Sequence, residues 1–321
     1  MKKIAVLADY LEPSHHALID STAARCGFAV DYYPDCRVPA ELAGTYEVVH
    51  GMPKPGDLKA FTGMKWFCGS FAGVDAYLDD ALYPSPEVML SNSSGTYGVT
   101  IAEHLIMVTL MLLRHAPAYL HHADAHRWGP VMPMRSIIGS TITVLGTGDI
   151  GTEFARRAKA MGAKAIRGVR RTKKAADPAF DGVFTHEELD SLLPDTDILV
   201  MALPSTADTV GILSRERIAL LPETAYVINV GRGTAIDQSA LVEALNAGKL
   251  AGAALDVFEK EPIPAGDPVW DAKNLLITPH ISGQMSLGYT RDKNVALFCE
   301  DLENYAAGRP LKRYVDRKIG Y

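Results

Sequence analysis

Cysteine is scarce in this chain of 321 residues: there are four, Cys26, Cys36, Cys68 and Cys299, widely spaced. That excludes a disulfide-framed scaffold and leaves no thiol pair with metal-ligand spacing. Cys26 and Cys36 could meet, but lone thiols in a reducing cytoplasm are the better reading. Long apolar runs are also missing. The most apolar helical stretch, Leu105 to Leu113, spans nine residues, against the roughly 20 that a bilayer crossing needs. The N-terminus has only Ile4 to Ala8 as an apolar core and no small-residue cleavage site, so it reads as a first strand and not a signal peptide. Excess positive charge is absent too. A net charge of −6 gives no reason to expect nucleic acid or an anionic membrane as partner. No repeat or low-complexity segment is present. The histidines at 15, 16, 104, 121, 122 and 126 have no metal-ligand spacing, and no metal site is expected.

What is present is an ordinary globular composition, 48% hydrophobic and 22% charged, with a length that suggests two domains. Short β-rich runs alternate with helical patterns, the mark of an α/β protein with doubly wound parallel sheets. Strands are expected at 3–8, 28–33, 46–51, 64–69 and 88–92, with a connecting helix over 14–26. No glycine loop follows any of these strands. Near residue 98 the pattern changes. Thr100 and Glu103 form a capping-box pattern that opens an apolar helix to about Arg114, which Pro117 should end or kink. Alternation restarts with strands at 141–145, 164–170, 197–202, 225–230, 251–256 and 275–278. A last helical pattern, 287–307, returns to the first half through Val295, Leu297, Phe298, Leu302 and Tyr305. The expected domains are therefore 1–97 with 287–321 for substrate, and 98–286 for a dinucleotide, with a cleft between them.

The dinucleotide reading rests on Gly146-Thr-Gly148-Asp149-Ile150-Gly151. A GxGxxG alone is a weak signal and could be a plain glycine-rich turn. Here it follows the strand TITVL and opens a helical stretch over 150–161 that ends at Gly162. Gly146 permits the tight turn, Gly148 lets the backbone approach a pyrophosphate, and Gly151 lets helix and strand pack closely. The helix N-terminus adds unpaired amides and partial positive charge. The next strand ends in GVRRTKK (168–174), where an NAD site would place a carboxylate for the ribose 2′-hydroxyl. Arg170, Arg171 and Thr172, with Lys173 and Lys174, suit a 2′-phosphate instead, so NADP is preferred with NAD possible. A solvated basic loop is the alternative.

Three chemical groups stand at the ends of apolar runs: Arg232 in VINVGRG, Glu261 in LDVFEKEP and His280 in LLITPH. Arg232 carries a fixed charge and a planar fork that can grip a 2-oxo-carboxylate. His280 can give or take a proton near neutral pH, and Glu261 beside it would favour the imidazolium and fix its ring.

These segments resemble the D-isomer-specific 2-hydroxyacid dehydrogenases, of the glyoxylate/hydroxypyruvate reductase type. The resemblance is carried by Ala202-Leu203-Pro204 with Thr206 and Thr209, by INVGRGTAID, LAGAALDVFEKEP, NLLITPHISG and the closing RPLKRYVD, and by FAGVD at 71–75. It implies two Rossmann-like or flavodoxin-like domains and hydride transfer between a nicotinamide and a short 2-oxo or D-2-hydroxy acid. The pattern selects Glu261, immediately before the proline, over Glu259, which reads as a solvated turn residue. It also implies cofactor contacts from Asp149 and Ile150 at the pyrophosphate, from Leu203, Pro204 and Thr209, and from Val230, Gly231 and Gly283 beside the nicotinamide. Asp256 would meet the carboxamide; a turn or cap at the strand end is the alternative. In FAGVD the amides of Ala72 and Gly73 would bind the substrate carboxylate opposite Arg232, although a plain strand-to-helix turn fits equally well. Trp128 and Trp270 suit closing over the site or packing. Closure about hinges near 93–99 and 281–287 is expected, as is a homodimer held through the cofactor domain, with helix 100–114 at its interface. The competing class is a dinucleotide-sensing corepressor on the same fold, which would not need Arg232, Glu261 and His280 together.

Overall fold

The structure is a computed structural model and describes residues 1–173 and 177–321. The chain divides into two compact units, Met1–Tyr97 with Gln284–Tyr321, and Gly98–Gly283. Gln284–Ser286 thus belong with the first unit, where the expected boundary put them in the second.

In the first unit the strands are β1 (Lys2–Leu7), β2 (Phe28–Tyr32), β3 (Val48–Gly51), β4 (Trp66–Gly69) and β5 (Met89–Ser91), all parallel, in the order β2-β1-β3-β4-β5. Helices α1 (Pro13–Arg25) and α2 (Ala40–Ala43) connect them. The order is that of a flavodoxin-like doubly wound sheet. β1, β3 and β4 are buried almost throughout because layers cover both faces of the sheet. α1 starts where the Glu12 carboxylate caps its first turn and His15 Nδ1 accepts the Glu12 amide at 3.0 Å.

The second unit opens with α3 (Gly98–Leu113) and α4 (Ala116–Asp124). The break between them falls where His115 adopts φ +55° and Pro117 sits in the first turn of the next helix. Thr100 is not the cap of α3 but lies inside it. The helix begins at Gly98, whose amide donates to the Asp149 carboxylate at 2.7 Å. A carboxylate distant in sequence supplies the cap that Thr100 and Glu103 were expected to form.

The sheet of this unit holds β6 (Thr141–Leu145), β7 (Ala165–Val169), β8 (Gly182–Phe184), β9 (Ile198–Met201), β10 (Tyr226–Asn229), β11 (Gly252–Leu255) and β12 (Leu275–Ile277). They are parallel in the order β12-β11-β10-β9-β6-β7-β8. Helices α5 (Asp149–Ala160), α6 (Leu189–Leu192), α7 (Arg215–Leu220) and α8 (Gln238–Asn246) connect them. The direction of winding reverses between β6 and β9, which makes the carboxyl ends of those strands the switch point where such sheets bind ligands. Its core runs through Leu145, Val169, Leu199, Val227, Leu241 and Leu255. α5 ends at Ala160, and Gly162, just past the cap Met161, takes φ +88° as a helix-ending glycine does.

The chain then returns to the first unit as α9 (Gly288–Ala306), which packs on α1 and buries Val295, Phe298 and Leu302. The closing segment adds an antiparallel bridge between Tyr314 and Ser91, and the Val315 amide donates to the Leu90 carbonyl at 2.9 Å. Among the described residues no single helix is long and apolar enough to cross a membrane. α3 and α4 pass together by composition, but a 64° bend separates them.

Candidate active site

Every chemical group singled out in the second unit follows the carboxyl end of one of its parallel strands, so the sheet itself gathers them. Gly146 follows β6 with φ +101°, and a Cβ there would meet the Ala202 carbonyl oxygen at 2.6 Å. A Cβ at Gly151 would stand 1.9 Å from the Gly146 carbonyl oxygen, so only glycine lets α5 lie this close to the loop. Gly148 differs: no atom lies within 4 Å of its Cβ position. Two glycines are thus fixed by packing, and the third faces open space at the start of a helix, as a pyrophosphate requires. The residues present therefore fit a dinucleotide.

Asp149 is in the first turn of α5, but its carboxylate is committed to the Gly98 amide. The half-buried Ile150 follows it in the same turn. Arg170 is half-buried, and its amide donates to Phe184 at 3.0 Å. Arg171 and Thr172 are exposed beside it, and Lys173 pairs with Glu188 at 3.2 Å. Lys174 lies outside the described residues.

After β9, Leu203 is buried and Pro204 exposed. Thr209 is buried, and its hydroxyl donates to the Pro204 carbonyl at 2.6 Å while accepting the Thr206 amide at 2.8 Å. Its hydroxyl therefore shapes the loop.

After β10, Val230 and Gly231 are buried; a Cβ at Gly231 would meet the Leu203 amide nitrogen at 2.6 Å. Asn229 clamps this turn, donating to the Arg232 carbonyl at 2.9 Å and accepting the Gly231 amide at 3.0 Å. The half-buried Arg232 donates through Nη1 to the Gly231 carbonyl at 2.8 Å. A Cβ at Gly233 would overlap the backbone carbon of Phe258 at 1.9 Å. The arginine segment and the FEKEP segment therefore touch main chain to main chain.

In FEKEP the two carboxylates separate cleanly. Glu259 accepts the Gln238 amide at 3.1 Å and so serves the first turn of α8. Glu261 accepts the Phe258 amide on Oε1 at 2.9 Å and meets His280 Nδ1 through Oε2 at 2.7 Å. The side chains of His280 and Glu261 are 51% and 35% exposed, so the pair opens to solvent or ligand. His280 itself takes φ +52°, unusual for a residue with a side chain.

Asp256, at the end of β11, is 2% exposed. Burial alone would raise its carboxyl's pKa, but hydrogen bonds from Ser282 and Thr278 and the amides of Ile281 and Ser282 outweigh it, so the group is held below the usual carboxylate range. Gly283, half-buried, closes the unit. Trp128 is fully exposed, and Trp270 Nε1 donates to the Pro264 carbonyl at 2.9 Å.

In the first unit, the loop after β4 is held by Asn92, whose side-chain Nδ2 donates to the Ala72 carbonyl at 2.7 Å, and by the Ser93 backbone amide on the Phe71 carbonyl at 2.9 Å. Ala72 and Gly73 are half-buried. Among the described residues no three His, Cys, Asp or Glu side chains converge as metal ligands.

Residues 106–282 match the model of the D-isomer-specific 2-hydroxyacid dehydrogenase NAD-binding domain. The chain is similar to the glyoxylate/hydroxypyruvate reductase A of Salmonella newport, 32% identical over 258 residues, covering 78% of this chain and 80% of the relative. Among solved structures it is similar to a D-isomer-specific 2-hydroxyacid dehydrogenase from Xanthobacter autotrophicus in complex with NADPH and MES. That match has a TM-score of 0.83 and 28% identity and covers 100% of this chain and 99% of the other. An NADPH-dependent glyoxylate/hydroxypyruvate reductase from Sinorhizobium meliloti, in complex with NADP and sulfate, matches with a TM-score of 0.82 and 27% identity over 100% of both chains. With the glycine loop, the parallel sheet and the Glu261–His280 pair in place, the chain belongs to the D-isomer-specific 2-hydroxyacid dehydrogenase family, an NAD(P)-dependent oxidoreductase acting between 2-oxo and 2-hydroxy acids.

Proposed function

We propose that this protein reduces short 2-oxo acids of the glyoxylate or hydroxypyruvate type to D-2-hydroxy acids, with NADPH preferred over NADH. The observation that carries the reading is the 2.7 Å contact between His280 Nδ1 and Glu261 Oε2 beside the arginine-bearing turn. A pure sensor of dinucleotides has no need of that proton-handling pair, so the corepressor reading is not favoured. The named reductase relatives support the substrate class.

The bound nicotinamide supplies the hydride. Arg232 binds the substrate carboxylate and polarises the adjacent carbonyl. The amides of Ala72 and Gly73 offer backbone donors to the same class of anion. With Nδ1 committed to Glu261, Nε2 of His280 is the ring atom that passes the proton to the substrate oxygen in reduction and takes it back in oxidation. Gly146, Gly148, Gly151 and the amides of Asp149 and Ile150 receive the pyrophosphate, and Arg170, Arg171 and Thr172 receive the 2′-phosphate. Leu203, Pro204, Val230, Gly231 and Gly283 form the walls around the cofactor. Met1–Tyr97 with the C-terminal return forms the substrate domain, and Gly98–Gly283 the cofactor domain.

A homodimer in the cytoplasm completes the proposal. Met107, Leu120 and Trp128 leave exposed apolar surface on the second unit that a second copy would cover, and free cysteines suit a reducing compartment. The test is kcat/KM for glyoxylate and hydroxypyruvate with each cofactor. A clear NADH preference, or tight NADPH binding without turnover of any 2-oxo acid, overturns the corresponding part.

A further inference from the structure

A residue with a side chain at φ +52° persists only where its surroundings impose it. His280 is such a residue, and what imposes its backbone lies beneath it. The His280 amide donates to the Asp256 carbonyl at 2.9 Å. The Asp256 carboxylate takes the Thr278 hydroxyl at 2.7 Å and the Ile281 amide at 2.9 Å on Oδ1, and the Ser282 amide at 3.0 Å on Oδ2. Thr278, Ile281 and Ser282 bracket the histidine on both sides. A carboxylate has about four acceptor positions, and the Ser282 side chain also reaches this one. At 2% exposure its acceptor capacity is spent on the turn. One more group stands behind it: His104 Nε2, on α3, lies 3.4 Å from the Thr278 hydroxyl. Because that hydroxyl gives its proton to Asp256, the ring donates and the hydroxyl oxygen accepts.

We propose that Asp256 and Thr278, steadied by His104, are positioning residues for His280: the buried carboxylate clamps the 278–282 turn, holding the imidazole in register with Glu261. The clamp rests on the reading of His280 as proton donor. These contacts to the turn give Asp256 a positioning role in addition to any contact it makes with the nicotinamide. A positioning residue acts on turnover at saturation more than on cofactor affinity, because only the reacting geometry depends on it.

The experiment compares Thr278→Val, Thr278→Ser, Asp256→Asn and His280→Asn. It measures kcat and KM for glyoxylate and the Kd of NADPH from its fluorescence, with thermal midpoints recorded throughout. Thr278→Val removes one hydrogen bond to a charged group, and kcat should fall about tenfold, with NADPH Kd within about twofold. Thr278→Ser restores the hydroxyl and should recover kcat. Asp256→Asn leaves one backbone amide of the turn facing an NH2 group, and kcat should fall about a hundredfold, well beyond any change in NADPH affinity. If Asp256→Asn fails to fold, the Thr278 pair carries the test. A wild-type kcat in Thr278→Val, or an Asp256→Asn protein that loses NADPH affinity tenfold while keeping its saturated kcat, overturns the clamp. His280→Asn separates the two levels. If it retains turnover, the proton-donor reading fails; if it is inactive while Thr278→Val is unimpaired, only the clamp fails.

Discussion

Replacing Glu261 by Gln removes one charge and leaves the shape of the site nearly intact. In the wild type, Oε2 meets His280 Nδ1 at 2.7 Å and Oε1 accepts the Phe258 amide at 2.9 Å. The glutamine carbonyl can keep one of these contacts, but its NH2 group cannot accept from Nδ1–H. A hydrogen bond to a charged group is worth about 1.5–3 kcal/mol. The partners are 51% and 35% exposed, so solvent screening argues for the lower end. About 1.5 kcal/mol lost from the transition state is roughly a tenfold fall in kcat/KM. The fall should appear in kcat, because the charged imidazole matters when the proton moves and not when NADPH binds. Glu261→Asp keeps the charge but shortens the reach, and should fall between the two. The assay is NADPH-dependent glyoxylate reduction, with NADPH Kd measured in parallel. A Glu261→Gln enzyme with wild-type kcat/KM would refute the argument, as would one whose whole deficit lies in NADPH binding.

Three further outcomes follow from the geometry. Gly148→Ala adds a Cβ into open space, and should fold with an unchanged thermal midpoint while raising NADPH Kd about tenfold or more; Gly151→Ala places one 1.9 Å from the Gly146 carbonyl oxygen and should lose stability first, by about 1–3 kcal/mol in denaturant titration. Replacing Arg171 by Asp should shift the NADPH-to-NADH ratio of kcat/KM toward NADH by at least about tenfold, since it removes a cation and offers a carboxylate to a ribose hydroxyl. His50, stacked on Phe298 with ring centroids 4.0 Å apart and fully buried, is held neutral by burial, its pKa lowered to about 4. In the unfolded chain the same group takes its proton near pH 6.5. The unfolded state therefore binds more protons between those values, and stability falls as pH drops from about 6.5 toward 4, by on the order of 3 kcal/mol from this residue. Denaturant titrations at pH 7 and 4.5 should show His50→Phe losing much less over that interval than the wild type.

The strands were legible because a parallel sheet covered on both faces demands continuously buried runs rich in apolar and β-branched residues, as in IAVL and TITVL. β8 was missed: Gly182–Phe184 is three half-buried residues at the sheet edge, too short and too mixed to carry a period. The start of α3 was misplaced because its capping carboxylate, Asp149, sits on another helix, and no local pattern announces a cap of that kind. Glu261 could be separated from Glu259 only through the family resemblance, which places the carboxylate immediately before the proline, whereas the engagement of Thr209 with its own loop could not be read. The hydrogen bonds of Asp256 go to a turn more than twenty residues further along the chain, and only the folded backbone brings that turn back to it.

In the proposed reaction His280 moves the proton while NADPH gives the hydride. The direct measurement is a single-turnover experiment mixing enzyme-bound NADPH with excess glyoxylate, for wild type and His280→Asn, following the loss of reduced-nicotinamide absorbance. Both proteins should bind NADPH with similar affinity, and His280→Asn should oxidise it about 10²–10⁴-fold more slowly. Equal rates of NADPH oxidation in the two proteins would contradict the account.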